Sequence, residues 1–128
     1  MLQCHFYTAG IAVYIALDDM GTGPLARVGT PGQKAVTRAL TKFCRDHGHA
    51  PAWIEELNRF AEALEKRDVY SLKRGIERLS RAGMGSFLDW FPPALANEDD
   101  GYVECVWNAL YGHWYEQVSP ITKVEHVV

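Results

Sequence analysis

Apolar residues recur at helical spacing in four separate segments between residues 33 and 118, and this periodicity narrows the possible folds more than any other property of the sequence. Within each stripe they lie three or four positions apart, so one helix face can be buried while the other stays polar. The four stripes are Ala35–Cys44, Trp53–Leu64, Val69–Leu79 and Val103–Trp114. We therefore expect an all-α fold, a small bundle of four to five helices.

Local signals at the ends of the stripes predict where the first three helices begin and end. Residues Thr30–Gln33 form a capping box with proline at the first helical position, and Gly48 is expected to end that helix. Pro51 begins the second helix, and Asp68 can cap the third. Gly83 is the expected stop of the third helix.

The segment before the last helix carries two further helix-start signals. Ser86–Asp89 reads as a second capping box, which predicts a short helical turn that Pro92-Pro93 must end. Asn97 is the predicted cap of the last helix, with residues 98–100 in its first turn.

The chain ends are less regular than the body. Ile11, Val13 and Ile15 alternate as in a strand, whereas Ala12 and Ala16 also suit a buried helix; we favour a helix and leave the strand open. Glycines and prolines between residues 21 and 32 form a linker. We expect a single domain over residues 1–128, with the N-terminal element and linker in 1–32, the helical body in 33–118 and a tail in 119–128.

Composition bounds the class of protein. The chain has 128 residues, 48% of them hydrophobic, and a net charge of −3, which fit one soluble domain and argue against a nucleic-acid partner. The cysteines, Cys4, Cys44 and Cys105, are odd in number and far apart, which favours reduced thiols and a cytoplasmic location. Residues 1–17 are too short and too interrupted to span a bilayer, so we expect no membrane partner.

The net charge is the sum of two unlike regions. Residues 33–85 carry eleven Lys or Arg and seven Asp or Glu, whereas residues 86–128 carry one Lys and seven Asp or Glu. The first region therefore has a charge of +4 and the second of −6. Such a division often serves solubility alone, but it can also steer a partner with the opposite pattern.

The sequence offers one possible metal site and no recognisable catalytic motif. Cys44, His47 and His49 read C-x-x-H-x-H at a helix end, but a zinc site needs three or four converging ligands, and Cys44 also belongs to an apolar stripe. We expect Cys44 to face the core and the histidines to lie at the negative end of the helix dipole. We expect no cofactor and no enzymatic activity.

Residues 79–89, Leu-Ser-Arg-Ala-Gly-Met-Gly-Ser-Phe-Leu-Asp, resemble the core motif of a family of small bacterial proteins, roughly G-G-M-G-S-[FL]-x-D, with Ala82 in place of the first glycine. Members of that family are similar to the immunity proteins encoded beside bacterial toxin genes. The resemblance covers about residues 51–118. It implies a structural role, the shaping of a turn, for the motif residues Gly83, Met84, Gly85, Ser86 and Asp89.

The resemblance implies an immunity protein that neutralises one cognate toxin by forming a stoichiometric complex. Its partner would be the toxin, expected from an adjacent gene. The residues that we expect to contact the toxin are an acidic cluster and two aromatic side chains, Glu98, Asp99, Asp100, Glu104, Trp90 and Tyr102. Two alternatives stay open: a small metal-binding protein or enzyme that uses Cys44, His47 and His49, and a regulatory protein-interaction module.

Overall fold

The computed structural model describes residues 24–124, in which four α-helices follow one another along the chain. The helices are α1 (Pro31–Asp46), α2 (Pro51–Lys66), α3 (Val69–Ser80) and α4 (Asp100–Val118). Short 3-10 helices at Pro24–Arg27 and Ser119–Lys123 flank them, and no strand occurs between residues 24 and 124. The expected small all-α bundle is therefore confirmed for this part of the chain.

The predicted N-terminal element, for which helix and strand stayed open, lies outside the described residues, and the predicted linker is described only from residue 24. Within residues 24–124, none of the helices combines the length and the apolar character needed to cross a bilayer.

The start of α1 is joined to the end of α4 by one glutamine side chain. Thr30 Oγ1 accepts a hydrogen bond from the Gln33 N–H at 3.2 Å, and Gln33 Oε1 accepts from the Thr30 N–H at 3.1 Å, so the predicted capping box is confirmed. The buried Gln33 amide also donates to the carbonyls of Arg27, at 2.7 Å, and Gln117, at 3.1 Å. The cap therefore also fixes where α4 lies against α1.

Two predicted helix boundaries are wrong. α3 ends at Ser80, because Arg81 has an extended backbone, and Gly83 therefore lies beyond the helix instead of ending it. α4 is capped by Asp99, not by Asn97; the Asp99 carboxylate accepts hydrogen bonds from two backbone N–H groups of the first turn. A carboxylate is a stronger acceptor than an amide and complements the positive end of the helix dipole.

Trp114 on α4 is the largest fully buried side chain among the described residues, and it connects three helices. Its Nε1–H donates to Thr37 Oγ1 of α1 at 3.1 Å, and its ring meets Phe60 of α2 edge to face with centroids 5.3 Å apart. Both polar atoms are thereby satisfied inside the core, where an unpaired donor costs about 1–3 kcal/mol. This arrangement fixes α1, α2 and α4 around one common centre.

α2 and α3 approach closely at a glycine. A Cβ atom added to Gly75 would lie 2.7 Å from Cδ2 of the Phe60 ring, closer than side-chain carbons pack. The same two helices are joined nearer the end of α3 by the ion pair between Glu56 and Arg78. These contacts show that α2 and α3 run antiparallel, with Gly75 setting their spacing.

Candidate functional site

Residues 81–99, which we name the α3–α4 loop, form the longest stretch without a helix between residues 24 and 124. Loops longer than about 12–15 residues are uncommon in compact domains, and they are usually either functional or disordered. This one is packed against the body, since its Phe87 side chain is 0% exposed and belongs to the core. A long loop held this firmly is the principal candidate for a functional site.

His49, between α1 and α2, clamps the middle of the loop. Its ring lies between Phe87, at 4.9 Å between centroids, and Trp90, at 4.1 Å, and stacks on both. His49 Nε2–H donates to the Phe87 carbonyl at 2.9 Å, while the Ala50 N–H donates to His49 Nδ1 at 2.8 Å. The neutral ring therefore satisfies one donor and one acceptor and fixes the loop backbone as well as its side chains.

The electrostatics at His49 agree with this neutral form. Burial lowers the pKa of His49 below its ordinary value of 6.5, and the hydrogen bond to the Phe87 carbonyl opposes that shift. A proton added at Nδ1 would face the Ala50 N–H, which is itself a donor. His49 is thus a structural clamp and is not placed to act as a free base.

A second clamp holds the end of the loop through His47 and Glu98. His47 Nδ1 lies 2.9 Å from the Phe43 carbonyl oxygen, and its Nε2 lies 2.9 Å from Glu98 Oε1, so both ring nitrogens lie within hydrogen-bond distance of an oxygen acceptor. Glu98 also accepts from the Leu95 N–H at 2.9 Å. The two side chains are only 4% and 10% exposed, which means that Glu98 is enclosed by its partners.

The motif at residues 83–89 folds into consecutive turns. The Ser86 N–H donates to the Gly83 carbonyl, the Asp89 N–H donates to the Ser86 carbonyl, and Asp89 Oδ2 accepts from the Gly85 N–H at 2.9 Å. Gly83 and Gly85 have φ angles of +122° and +78°, which residues with a Cβ atom rarely adopt. These contacts fit the structural role expected for the motif.

The predicted capping box at Ser86 is wrong, as is the short helix that it would begin. Residues 86–89 form turns, and Asp89 reaches back to Gly85 instead of to Ser86. The Ser86 hydroxyl is buried and has no hydrogen-bond partner among the described residues. The turn conformation explains the difference, because without a first helical turn no backbone N–H is presented to the hydroxyl.

The outer side of the α3–α4 loop carries exposed apolar side chains. Met84 is 100% exposed, Phe91 is 88% exposed and Leu95 is 43% exposed, and they make up three of the five exposed large apolar side chains of residues 24–124. The sequence assigned Met84 only to the turn and gave no signal for Leu95. The sequence did not predict that Phe91, which lies between Trp90 and Pro92-Pro93, would be exposed.

The predicted contact residues separate into accessible and covered groups. Asp100 and Glu104 are exposed on the first turns of α4, and Asp99 is exposed while capping that helix. Trp90 and Tyr102 are half-buried, and Glu98 is enclosed by His47 and the Leu95 N–H. Glu98 therefore fastens the loop, and three carboxylates stay accessible beside it.

The alternative metal site is not assembled. Cys44 lies in the core, as expected, and burial raises the pKa of its thiol far above the ordinary value, which opposes the thiolate that a metal needs. All four ring nitrogens of His47 and His49 have protein hydrogen-bond partners. Over residues 24–124, no three His, Cys, Asp or Glu side chains are grouped to hold a metal ion.

Comparisons with models of protein families, with curated proteins and with solved structures gave no match.

Proposed function

We propose that this chain is a cytoplasmic immunity protein that binds a protein toxin through the α3–α4 loop and neutralises it by stoichiometric complex formation. The observation that carries the proposal is that the loop is clamped from beneath by His47 and His49 while Met84 and Phe91 stand exposed on it. The toxin as partner follows from the resemblance at residues 79–89.

Clamping and exposure together favour tight binding. Exposed aromatic and methionine side chains are enriched where proteins bind one another, and a few such anchors supply most of the binding free energy. A loop that is already held in place loses little conformational freedom on binding, so more of the contact free energy appears as affinity. The α3–α4 loop has both properties.

The three accessible carboxylates suggest the chemistry of the partner's surface. Asp99, Asp100 and Glu104 lie at the junction of the loop and α4 and are all exposed, so they add three negative charges there. A toxin that acts on nucleic acid or nucleotides has a basic site for phosphate groups, and carboxylates can occupy such a site in place of phosphate. Covering that site would block the toxin's substrate.

Co-expression in bacteria with the product of the adjacent gene tests the proposal. We expect the chain to rescue growth and to co-purify with that product in a fixed ratio. Phe91→Ser together with Met84→Ser should abolish rescue, whereas Tyr115→Ser, which alters an exposed aromatic residue on α4, should leave it intact. Toxicity without rescue by the unmodified chain would contradict the proposal, and a stable complex without toxicity would favour a regulatory interaction module.

A charge reversal tests the electrostatic part. Glu104→Lys should slow association with the purified partner several-fold at low salt, because it replaces attraction with repulsion near the loop. Glu116→Lys makes the same change on an exposed position of α4 farther along the helix and should have a smaller effect. Equal association rates for the two variants, measured by stopped-flow fluorescence, would exclude a specific role for the acidic cluster.

A further inference from the structure

A cleft between α2 and α3 lies outside the α3–α4 loop. Its volume is about 440 Å³, within the range of about 300–1,000 Å³ common for ligand sites. Phe60, Ala63 and Gly75 contribute buried, apolar parts of its lining. The charged side chains of the lining are four cations and three carboxylates, Arg59, Lys66, Arg74, Arg78, Glu56, Glu62 and Asp68. The cleft therefore combines an apolar surface with a small excess of cationic groups.

Glu62 pairs with Lys66 at the surface of the cleft, whereas Glu56 lies deeper than the two arginines that it pairs with. The Glu56 carboxylate lies 3.2 Å from a guanidinium nitrogen of Arg59 and 3.4 Å from one of Arg78. The Glu56 side chain is 11% exposed, whereas those of Arg59 and Arg78 are 62% and 53% exposed. A molecule that approaches from solvent meets the two guanidinium groups before the carboxylate beneath them.

Arg74 adds a cation one helical turn before Arg78. Its guanidinium donates to the Tyr70 hydroxyl at 3.2 Å, and none of the ion pairs within 4 Å formed by residues 24–124 includes it. Glu77, the acid nearest to it in sequence on α3, pairs with Arg81 at 2.8 Å. Arg78 is paired with Glu56, and Arg74 interacts with Glu56 and Glu77 only at longer range. An anionic ligand placed between Arg74 and Arg78 would give Arg74 a direct ion pair.

The spacing of these arginines matches an extended peptide. Four helical residues rise about 6 Å, which separates Arg74 from Arg78 along α3. In an extended chain, side chains on the same side recur every second residue, also about 6–7 Å apart. We propose that the α2–α3 cleft binds an extended protein segment with acidic residues at alternate positions, whose carboxylates pair with Arg74 and Arg78.

Fluorescence anisotropy with the full chain and labelled synthetic peptides of about six residues tests this proposal. The probe has the sequence Glu-Ser-Glu-Ser-Glu-Ser, and the control peptide Glu-Glu-Ser-Ser-Ser-Glu has the same composition but no two acids at alternate positions. We expect saturable binding of the alternating peptide, with the control peptide about fivefold weaker or more, because no two of its carboxylates have the spacing of Arg74 and Arg78.

Arg74→Gln should weaken binding of the alternating peptide about five- to tenfold. Arg38→Gln, which makes the same change in net charge at an exposed position of α1, should alter it by less than about twofold. Thermal unfolding of both variants verifies that they keep the fold. Arg78 is left unchanged because it pairs with Glu56.

Three results would overturn the proposal: no saturable binding, equal affinity for the two peptides, or equal weakening by Arg74→Gln and Arg38→Gln. Displacement of the peptide by an equal concentration of inorganic phosphate would also overturn it, in favour of a site for small anions. The cleft and the α3–α4 loop share no residues, so failure of this test leaves the proposed partner-binding surface untouched, and the reverse also holds.

Discussion

His49 combines ring stacking with two hydrogen bonds, and the one that its Nδ1 accepts needs the uncharged imidazole. Phe87 and Trp90 cover its faces, the Phe87 carbonyl accepts from one nitrogen, and the Ala50 N–H donates to the other. A histidine two residues after His47 gives no sign in the sequence that it will clamp a loop some forty residues away. Its position after a helix was predictable. Its partners were not, because they depend on where the loop after α3 packs.

The protonation of His49 predicts how stability depends on pH. Because burial lowers the pKa of His49 in the folded state, the unfolded chain takes up a proton first as the pH falls below 6.5. The contribution of His49 to the free energy of unfolding should therefore decrease from about pH 7.5 to about pH 5.5. Urea unfolding should show a larger decrease for the unmodified chain than for His49→Gln, and equal decreases would contradict this account.

Ser86 and Thr30 both begin sequences that read as capping boxes, and only Thr30 has the hydrogen bonds of one. Thr30→Ala should cost about 1 kcal/mol of unfolding free energy because α1 loses its cap. Ser86→Ala should leave stability unchanged or raise it by up to about 1 kcal/mol, because it removes a buried hydroxyl without a partner. Chemical unfolding measures both, and a loss at Ser86 equal to that at Thr30 would show that the hydroxyl is bonded.

The spacing of apolar residues predicted the helices more reliably than the local start and stop signals predicted their ends. All four stripes became helices, because burying an apolar face stabilises the helix along its whole length. The end of α3 and the start of α4 were misplaced by a few residues. Asn97 and Asp99 are both good caps, and the choice between them depends on Glu98, which is drawn to His47 instead of into the helix.

The spacing of α2 and α3 predicts opposite effects for two glycine substitutions. Gly75→Ala should lower the free energy of unfolding by about 1–2 kcal/mol, because the added methyl meets the Phe60 ring, which is buried and also packs against Trp114. Gly112→Ala on α4 meets nothing within 4 Å and should raise it by about 1 kcal/mol through helix propensity. Thermal unfolding of the pair is the measurement, and stabilisation by both would mean that the helices move apart freely.

For the whole molecule, the sequence was sufficient for the fold class but not for the surface. Periodicity and caps are local properties, so a bundle can be inferred from them. The pairing of His47 with Glu98 joins residues 51 positions apart, and the exposure of Met84 and Leu95 depends on where the loop runs. No spacing rule relates such positions, so nothing in the sequence separated Glu98 from the other acidic residues expected to contact a partner.

Removing the Glu98 side chain should affect both the stability of the whole fold and the local structure of the α3–α4 loop. Glu98→Ala should cost about 1–3 kcal/mol of unfolding free energy, because it leaves the buried His47 Nε2 and the Leu95 N–H without their acceptor. It should also speed hydrogen exchange at the Leu95 amide, which loses its partner. Glu104→Ala, at an exposed position, should change stability by less than about 0.5 kcal/mol. Slow exchange at Leu95 in the Glu98 variant would show that the loop is held without the clamp.

The clamps and the exposed side chains of the α3–α4 loop are different residues, and this separation has an evolutionary consequence. Met84 and Phe91 are 100% and 88% exposed, so substituting them leaves the hydrogen bonds of His47 and His49 in place. Natural selection can therefore vary these two side chains without loss of the fold. If the proposed surface binds a partner, related chains can change that partner by a few substitutions on an inherited framework.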